Sequence, residues 1–203
     1  RINDELLPIA QRHEDLGELG ISAMMNGLIQ QAGGNIAESS QHMRRSADLF
    51  ETGGLPWTPL MVSSYSVNAL LAGEVDEART AFESAAANGV PPSAWTGADV
   101  GMVLSGKATL GDPDTYTFFE SLREQVPSEG QVMASGSVLL LLATIEALVL
   151  IGRDDEAALH YPAVRAFVAS GCGVQTFTYG ITERFAGMAA AAAARDWDAA
   201  LAR

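Results

Sequence analysis

Apolar and small residues recur along the chain three and four positions apart, the spacing that places side chains on one face of a helix. The pattern predicts first helices over residues 16–31, 59–72, 93–107, 135–151 and 182–195. Each is followed by a second helix, over 36–51, 75–88, 113–125, 154–169 and from 197 onward. A further helix over 2–13 precedes them, and Pro8 inside it implies a kink or a late start. No stretch alternates long enough for a sheet; residues 174–179 come nearest and are too short to build one. The connectors carry Gly53-Gly54-Leu55-Pro56, Pro91-Pro92, Pro127-Ser128-Glu129-Gly130 and Gly171-Cys172-Gly173, which are helix breakers.

The helices are punctuated by a repeated motif. Gly34-Asn35-Ile36-Ala37-Glu38-Ser39, Gly73-Glu74-Val75-Asp76-Glu77-Ala78 and Gly152-Arg153-Asp154-Asp155-Glu156-Ala157 align without gaps. Arg195-Asp196-Trp197-Asp198-Ala199-Ala200 is a version without the glycine, and Gly111-Asp112-Pro113-Asp114-Thr115-Tyr116 a degenerate one. The starts at 34, 73, 111, 152 and 195 lie 39, 38, 41 and 43 residues apart, within the roughly 34–47-residue period of helical-hairpin repeats. A glycine can take the left-handed conformation that ends one helix. Acids just after it are expected to cap the next helix and to sit well at its positive end. The small residue that closes the motif then lets the second helix approach the first. Phe82 and Ala85 follow Ala78 at +4 and +7, as Tyr161 and Val164 follow Ala157 and Met43 and Ser46 follow Ser39. The expected fold is therefore all-α: an α-solenoid of about five antiparallel helix pairs, a single repeat segment over 1–203. The helix at 2–13 then stands as the second half of a preceding pair, and the chain reads as excised from a longer array.

Gly-x-x-Asp-Glu-Ala with an aromatic at +4 and a small residue at +7 resembles the second half of a tetratricopeptide repeat, and Gly73 to Ala85 is the best copy. Val62, Tyr65, Ser66 and Ala69 occupy the packing positions of the first half. A narrower likeness covers Gly136 to Arg203, through Ala147-Leu148-Val149-Leu150-Ile151-Gly152-Arg153-Asp154-Asp155-Glu156-Ala157-Ala158 and Glu183-Arg184-Phe185-Ala186-Gly187-Met188-Ala189-Ala190-Ala191. This region is similar to the C-terminal repeats of large bacterial signalling proteins that join a class III adenylate/guanylate cyclase, a P-loop ATPase module and tetratricopeptide-like repeats. Related repeats also occur in ATPase-linked transcription regulators.

Composition narrows the partners. The chain has 203 residues, a formal net charge of −13 and a pI near 4.5, which opposes direct binding to nucleic acid. Hydrophobic residues make up 48% and charged ones 18%, below the usual quarter, so a large core is available, which argues against general disorder. The single cysteine, Cys172, cannot close an internal disulfide, and a reducing cytoplasm is the expected compartment. The N-terminal residues lack the basic-then-apolar order of a signal peptide. The longest apolar run, Val138 to Ile151, is 14 residues and contains Glu146, short of the about 20 that span a membrane.

Several near-motifs reduce to structure. Gly101 to Thr109 almost spells a phosphate loop, but Ala108 follows Lys107 where Ser or Thr is required, and no strand precedes it; a helix end with Lys107 near its negative pole is the simpler reading. Asp154-Asp155-Glu156 belongs to the start of a helix rather than to a metal cluster. His13, His42 and His160 fall in different repeats without His-x-x-x-His spacing. Cys172 lacks a neighbouring cation to activate it. Arg44-Arg45 reads as a solvated face and Ala189 to Ala194 as a packing surface. No catalytic, cofactor or metal site is assigned.

In tetratricopeptide arrays the first helices line a concave, partner-binding surface. Transferring those positions gives Met24, Leu28 and Gln31; Ser63, Val67 and Leu70; Gly101 and Ser105; Leu142, Glu146 and Val149; and Phe185 and Ala189. The lining is apolar and small, with one acid and no basic clamp for a peptide carboxylate. Either neighbouring repeats or domains close this groove, or it receives an apolar helix or small molecule. The resemblance implies a non-catalytic interaction or regulatory segment of a cytoplasmic signalling ATPase or cyclase, acting through a protein or intramolecular partner. The alternative is an all-α enzyme using Glu146 as a buried acid or base.

Overall fold

The computed structural model of the chain describes residues 2–87, 97–131, 135–171, 174–175 and 180–194. These form eleven α-helices, a 3-10 turn and one two-residue ladder. The chain divides into two compact units, Arg1–Gly89 and Val90–Arg203.

The first unit contains α1 (Ile2–His13), α2 (Leu16–Ala32), α3 (Ile36–Thr52), α4 (Thr58–Leu71) and α5 (Val75–Ala87). Each helix packs mainly on its neighbours in sequence. Pro8 is accommodated within α1. The Asp15 carboxylate caps α2 by accepting the Glu18 N–H at 3.1 Å. α2 lies against α3 at two glycines: a Cβ on Gly20 would sit 2.5 Å from the Phe50 ring, and one on Gly27 3.0 Å from Met43 Cγ. Ser39, the small residue of the first motif, ties three helices together. Its hydroxyl lies 2.8 Å from the Gly27 carbonyl of α2 and 2.7 Å from Asn68 Oδ1 of α4, and shares one proton between them. Asn68 in turn donates to the Ser64 carbonyl at 2.9 Å. Ser64 and Ser66 return their own hydroxyls to carbonyls one turn back.

The second unit contains α6 (Ala98–Thr109), α7 (Thr115–Leu122) running into a 3-10 turn (Arg123–Gln125), α8 (Ser135–Leu150), α9 (Asp154–Leu159), α10 (Tyr161–Ala169) and α11 (Thr182–Ala194). Its centre is α8, buried on all sides from Val138 to Ile145. α6 crosses α8 closely: a Cβ on Gly101 would meet Leu140 Cα at 3.1 Å and the Leu139 carbonyl at 3.2 Å. α11 packs on α8, α9 and α10. The helix expected over 154–169 is broken at His160, because Pro162 enters at the start of α10 and supplies no N–H to continue α9. Strands β1 (Val174–Gln175) and β2 (Gly180–Ile181) pair antiparallel, Val174 opposite Ile181, at the segment whose pattern came nearest to a strand.

The motif turns share one geometry. Gly34, Gly73, Gly111 and Gly152 have φ of 81°, 82°, 66° and 74°. Each glycine N–H bonds three residues back, and the next residue's N–H bonds five back. The pairs are Gly34 to Gln31 with Asn35 to Gln30, Gly73 to Leu70 with Glu74 to Ala69, Gly111 to Ala108 with Asp112 to Lys107, and Gly152 to Val149 with Arg153 to Leu148. This is the left-handed helix stop that satisfies the last carbonyls. The small residues Ser39, Ala78 and Ala157 are all fully buried. The degenerate turn inserts two residues, so α7 starts after Asp114.

Asn35, Asp114 and Arg153, at the N-cap positions, make no side-chain cap bond. Of the acids directly after the motif glycines, Asp112 accepts the Asp114 N–H at 2.8 Å and Glu74, just ahead of α5, accepts from Ser40 at 2.9 Å. Asp76, Glu77 and Asp154 to Glu156 lie in first turns, where the helix dipole favours them. The turn at Arg195 and the connector at Cys172 lie outside the described residues. No described helix is long and apolar enough to cross a membrane.

Candidate functional site

A cavity of about 410 Å3 opens in the first unit between α3 and α5, with α4 as its floor. Val62 and Tyr65 come up from α4, and Ala47 and Ala81 complete an apolar base. The rim is charged. α3 contributes Arg44, Asp48 and Glu51, and α5 contributes Asp76, Glu77, Thr80 and Ser84. Four carboxylates therefore face one guanidinium.

That guanidinium is held in a defined way. Arg44 lies over the Tyr65 ring at 5.1 Å from its centroid and pairs with Glu77. The Tyr65 hydroxyl donates to the same Glu77 carboxylate at 2.7 Å. Burial pushes the Tyr65 pKa up; Arg44 pulls it down, and Glu74 and Asp48 add to the rise. The phenol consequently stays a donor. Asp48, Glu51 and Asp76 form no ion pair among the described residues and are exposed. A cation-stacking aromatic, an apolar base and uncompensated carboxylates can hold a positive group.

The ten groove positions lie elsewhere. Met24, Ser63, Ser105, Leu142 and Phe185 are buried, and Leu28, Val67, Leu70, Glu146 and Val149 half-buried. None lines the cavity: on α4, Val62 and Tyr65 face it, while Ser63, Val67 and Leu70 occupy another side of the helix. In the second unit the structure does bring some of them together. The Ser105 hydroxyl donates to Glu146 Oε2 at 2.5 Å, and Arg184 pairs with Oε1. Arg184 also stacks on Phe185 at 4.7 Å. Both Glu146 oxygens are thus engaged, linking α6, α8 and α11. Of the other transferred positions, Gln31 is half-buried and Gly101 and Ala189 are buried.

The remaining candidates resolve as packing. Gly101 and Gly106 lie inside α6, where their N–H groups belong to the helix and cannot cradle phosphate; Lys107 pairs with Asp112 at 2.5 Å. Glu156 accepts from the Tyr116 hydroxyl at 3.0 Å and pairs with Arg123, which also pairs with Glu120. The Tyr116 pKa is raised first by its own side-chain hydrogen bond to Glu120, then by desolvation and by the bond to Glu156. His160 is held below its ordinary pKa by burial and then by Arg123, against the pull of Glu156. Among the described residues no three His, Cys, Asp or Glu side chains gather as a metal site. Asp99, in the first turn of α6, is 6% exposed with no hydrogen bond to Oδ1. Desolvation raises its pKa, while the backbone N–H groups of Val100, Asp99 and Gly97 oppose the rise.

Sequence reasoning left out the cavity residues as a group. Tyr65 was assigned to packing, Asp76 and Glu77 to a turn, and Arg44 to solvent. The signal that could have joined them is charge: acids on two successive second helices, late in the first and early in the second, around one arginine. No family model, no curated protein and no solved structure matches the chain.

Proposed function

We propose that the chain is a non-catalytic interaction or regulatory segment of tetratricopeptide-like helix pairs, stacked as an α-solenoid. We place it in a multidomain cytoplasmic signalling protein with an ATPase or nucleotidyl cyclase. The observation that carries this reading is the turn geometry repeated at Gly34, Gly73, Gly111 and Gly152. One backbone device at near-constant spacing, each time followed by a buried small residue or its degenerate equivalent, is what a repeat array requires. The parent assignment rests on the sequence resemblance, which an ATPase-linked transcription regulator would also satisfy. Partner binding would bias the stacking of helix pairs and so shift an attached catalytic domain between states.

The enzyme alternative has less support. A general acid or base needs an oxygen that reaches a substrate, and Ser105 and Arg184 take up both Glu146 oxygens. The cavity between α3 and α5 is the surface we assign to the partner. The test uses the longer protein carrying this segment, with Thr80→Arg introduced to fill the cavity. Its nucleotide turnover should change severalfold under partner-bound conditions while the segment alone turns over no nucleotide. Turnover by the segment itself, or unchanged regulation in the variant, would refute the reading.

A further inference from the structure

We infer that the cavity between α3 and α5 takes an arginine side chain presented by a basic segment of the partner, an assignment resting on unit 1 being an interaction module. The chemistry is already displayed once inside the site. Arg44 rests on the Tyr65 face and pairs with Glu77, whose carboxylate is fixed by the Tyr65 hydroxyl. That arrangement satisfies one guanidinium on its face and on its edge together.

Beyond Arg44 the site holds surplus negative charge. Asp48 and Glu51 on α3 and Asp76 on α5 all line the cavity, on either side of the Arg44–Glu77 pair along the helices, and none of them is in an ion pair among the described residues. A cation entering between the two helices beside Asp48 and Glu51 gains their carboxylates, and the methylenes of its stem gain the Val62, Ala47 and Ala81 base. A guanidinium matches this lining better than an ammonium because it is planar and donates to two carboxylate oxygens at once. About 410 Å3 accommodates one such side chain with part of its flanking backbone. An acidic or apolar segment would leave the three carboxylates facing no counter-charge, and the chain's net charge of −13 repels the former at a distance.

The test titrates the whole chain with a short fluorescein-labelled peptide of alternating glycine and arginine, followed by anisotropy at low and high salt. Binding should weaken as salt rises, because the rim charges are exposed and screened over about 10 Å at 0.1 M. The matched citrulline peptide, isosteric but neutral, should not bind. The double variant Asp48→Asn, Glu51→Gln alters exposed side chains and should lower affinity about tenfold, and Thr80→Arg should abolish binding. Circular dichroism of each variant checks that the helices persist. No binding by the folded chain, equal binding of the citrulline peptide, or unchanged affinity in the double variant would overturn the inference. Free agmatine binding as tightly as the peptide would overturn the assignment to a segment. These failures leave the nucleotide-turnover test untouched, so the role as a regulatory segment is judged separately.

Discussion

Glycine does two different jobs in this chain, and substitution separates them. At Gly73 a Cβ would meet nothing within 4 Å, but φ is +82°, so Gly73→Ala pays for the left-handed backbone alone, about 1–2 kcal/mol. Gly73→Asn should cost less, since Asn tolerates that region. At Gly101 the backbone is helical and the neighbour is the backbone of α8, which cannot step aside. Gly101→Ala should cost about 1–3 kcal/mol, and Asn there more rather than less. Urea titration of the four variants checks the reversed order. Asp99 gives the pH-dependent case. Its folded pKa lies above the unfolded value because burial penalises the charged form. The folded chain therefore binds the proton more tightly, and the stability contribution present at acid pH is lost as pH rises through the folded pKa. Asp99→Asn removes the charge while keeping an acceptor for the local N–H groups. It should stabilise the chain at neutral pH, and its advantage should shrink on acidification below the folded pKa. A constant advantage at every pH would contradict the desolvation account.

Helices meet in this chain through small residues whose replacement has a defined partner. Gly20→Ala would drive a Cβ into the Phe50 ring at 2.5 Å and should destabilise by about 1–3 kcal/mol. In a Phe50→Leu background the same change should cost measurably less, because the obstructing ring is gone; additivity of the two would show that α2 and α3 do not meet as described. Ser39→Ala removes the hydroxyl that joins α2, α3 and α4 and should cost about 1–3 kcal/mol by leaving Asn68 Oδ1 short of a donor. At this scale the sequence was readable. The predicted limits 16–31, 36–51, 59–72 and 75–88 match α2 to α5 to within a residue or so, because a left-handed glycine ends a helix for local reasons. Where the pattern failed, the cause was also local but weaker. Residues 154–169 keep helical spacing through His160, and Pro162 interrupts them only because the second position of a new helix tolerates proline. The position of the acids near a helix start is set by sequence, but whether each caps, pairs or stays free depends on neighbours that spacing does not reveal.

For the whole molecule the same asymmetry decides what could be known about function. Of the ten groove positions transferred from a family, five are buried, such as Leu142 and Phe185, both 0% exposed, and five half-buried. The cavity instead gathers Arg44 from one second helix and Glu77 from the next around Tyr65. Each of those residues looks ordinary on its own helix, and their meeting is a property of tertiary packing. The central claim is that this chain acts by binding, and that the cavity face is the one used. Photo-crosslinking in cells that make the protein carrying this segment tests it most directly, with benzoylphenylalanine in place of Ser84 in the cavity or, separately, of Val67 among the groove positions. The account predicts an adduct from the Ser84 position that maps to an arginine-containing segment, and none from Val67. An adduct from Val67 alone, or none from either position, would contradict it.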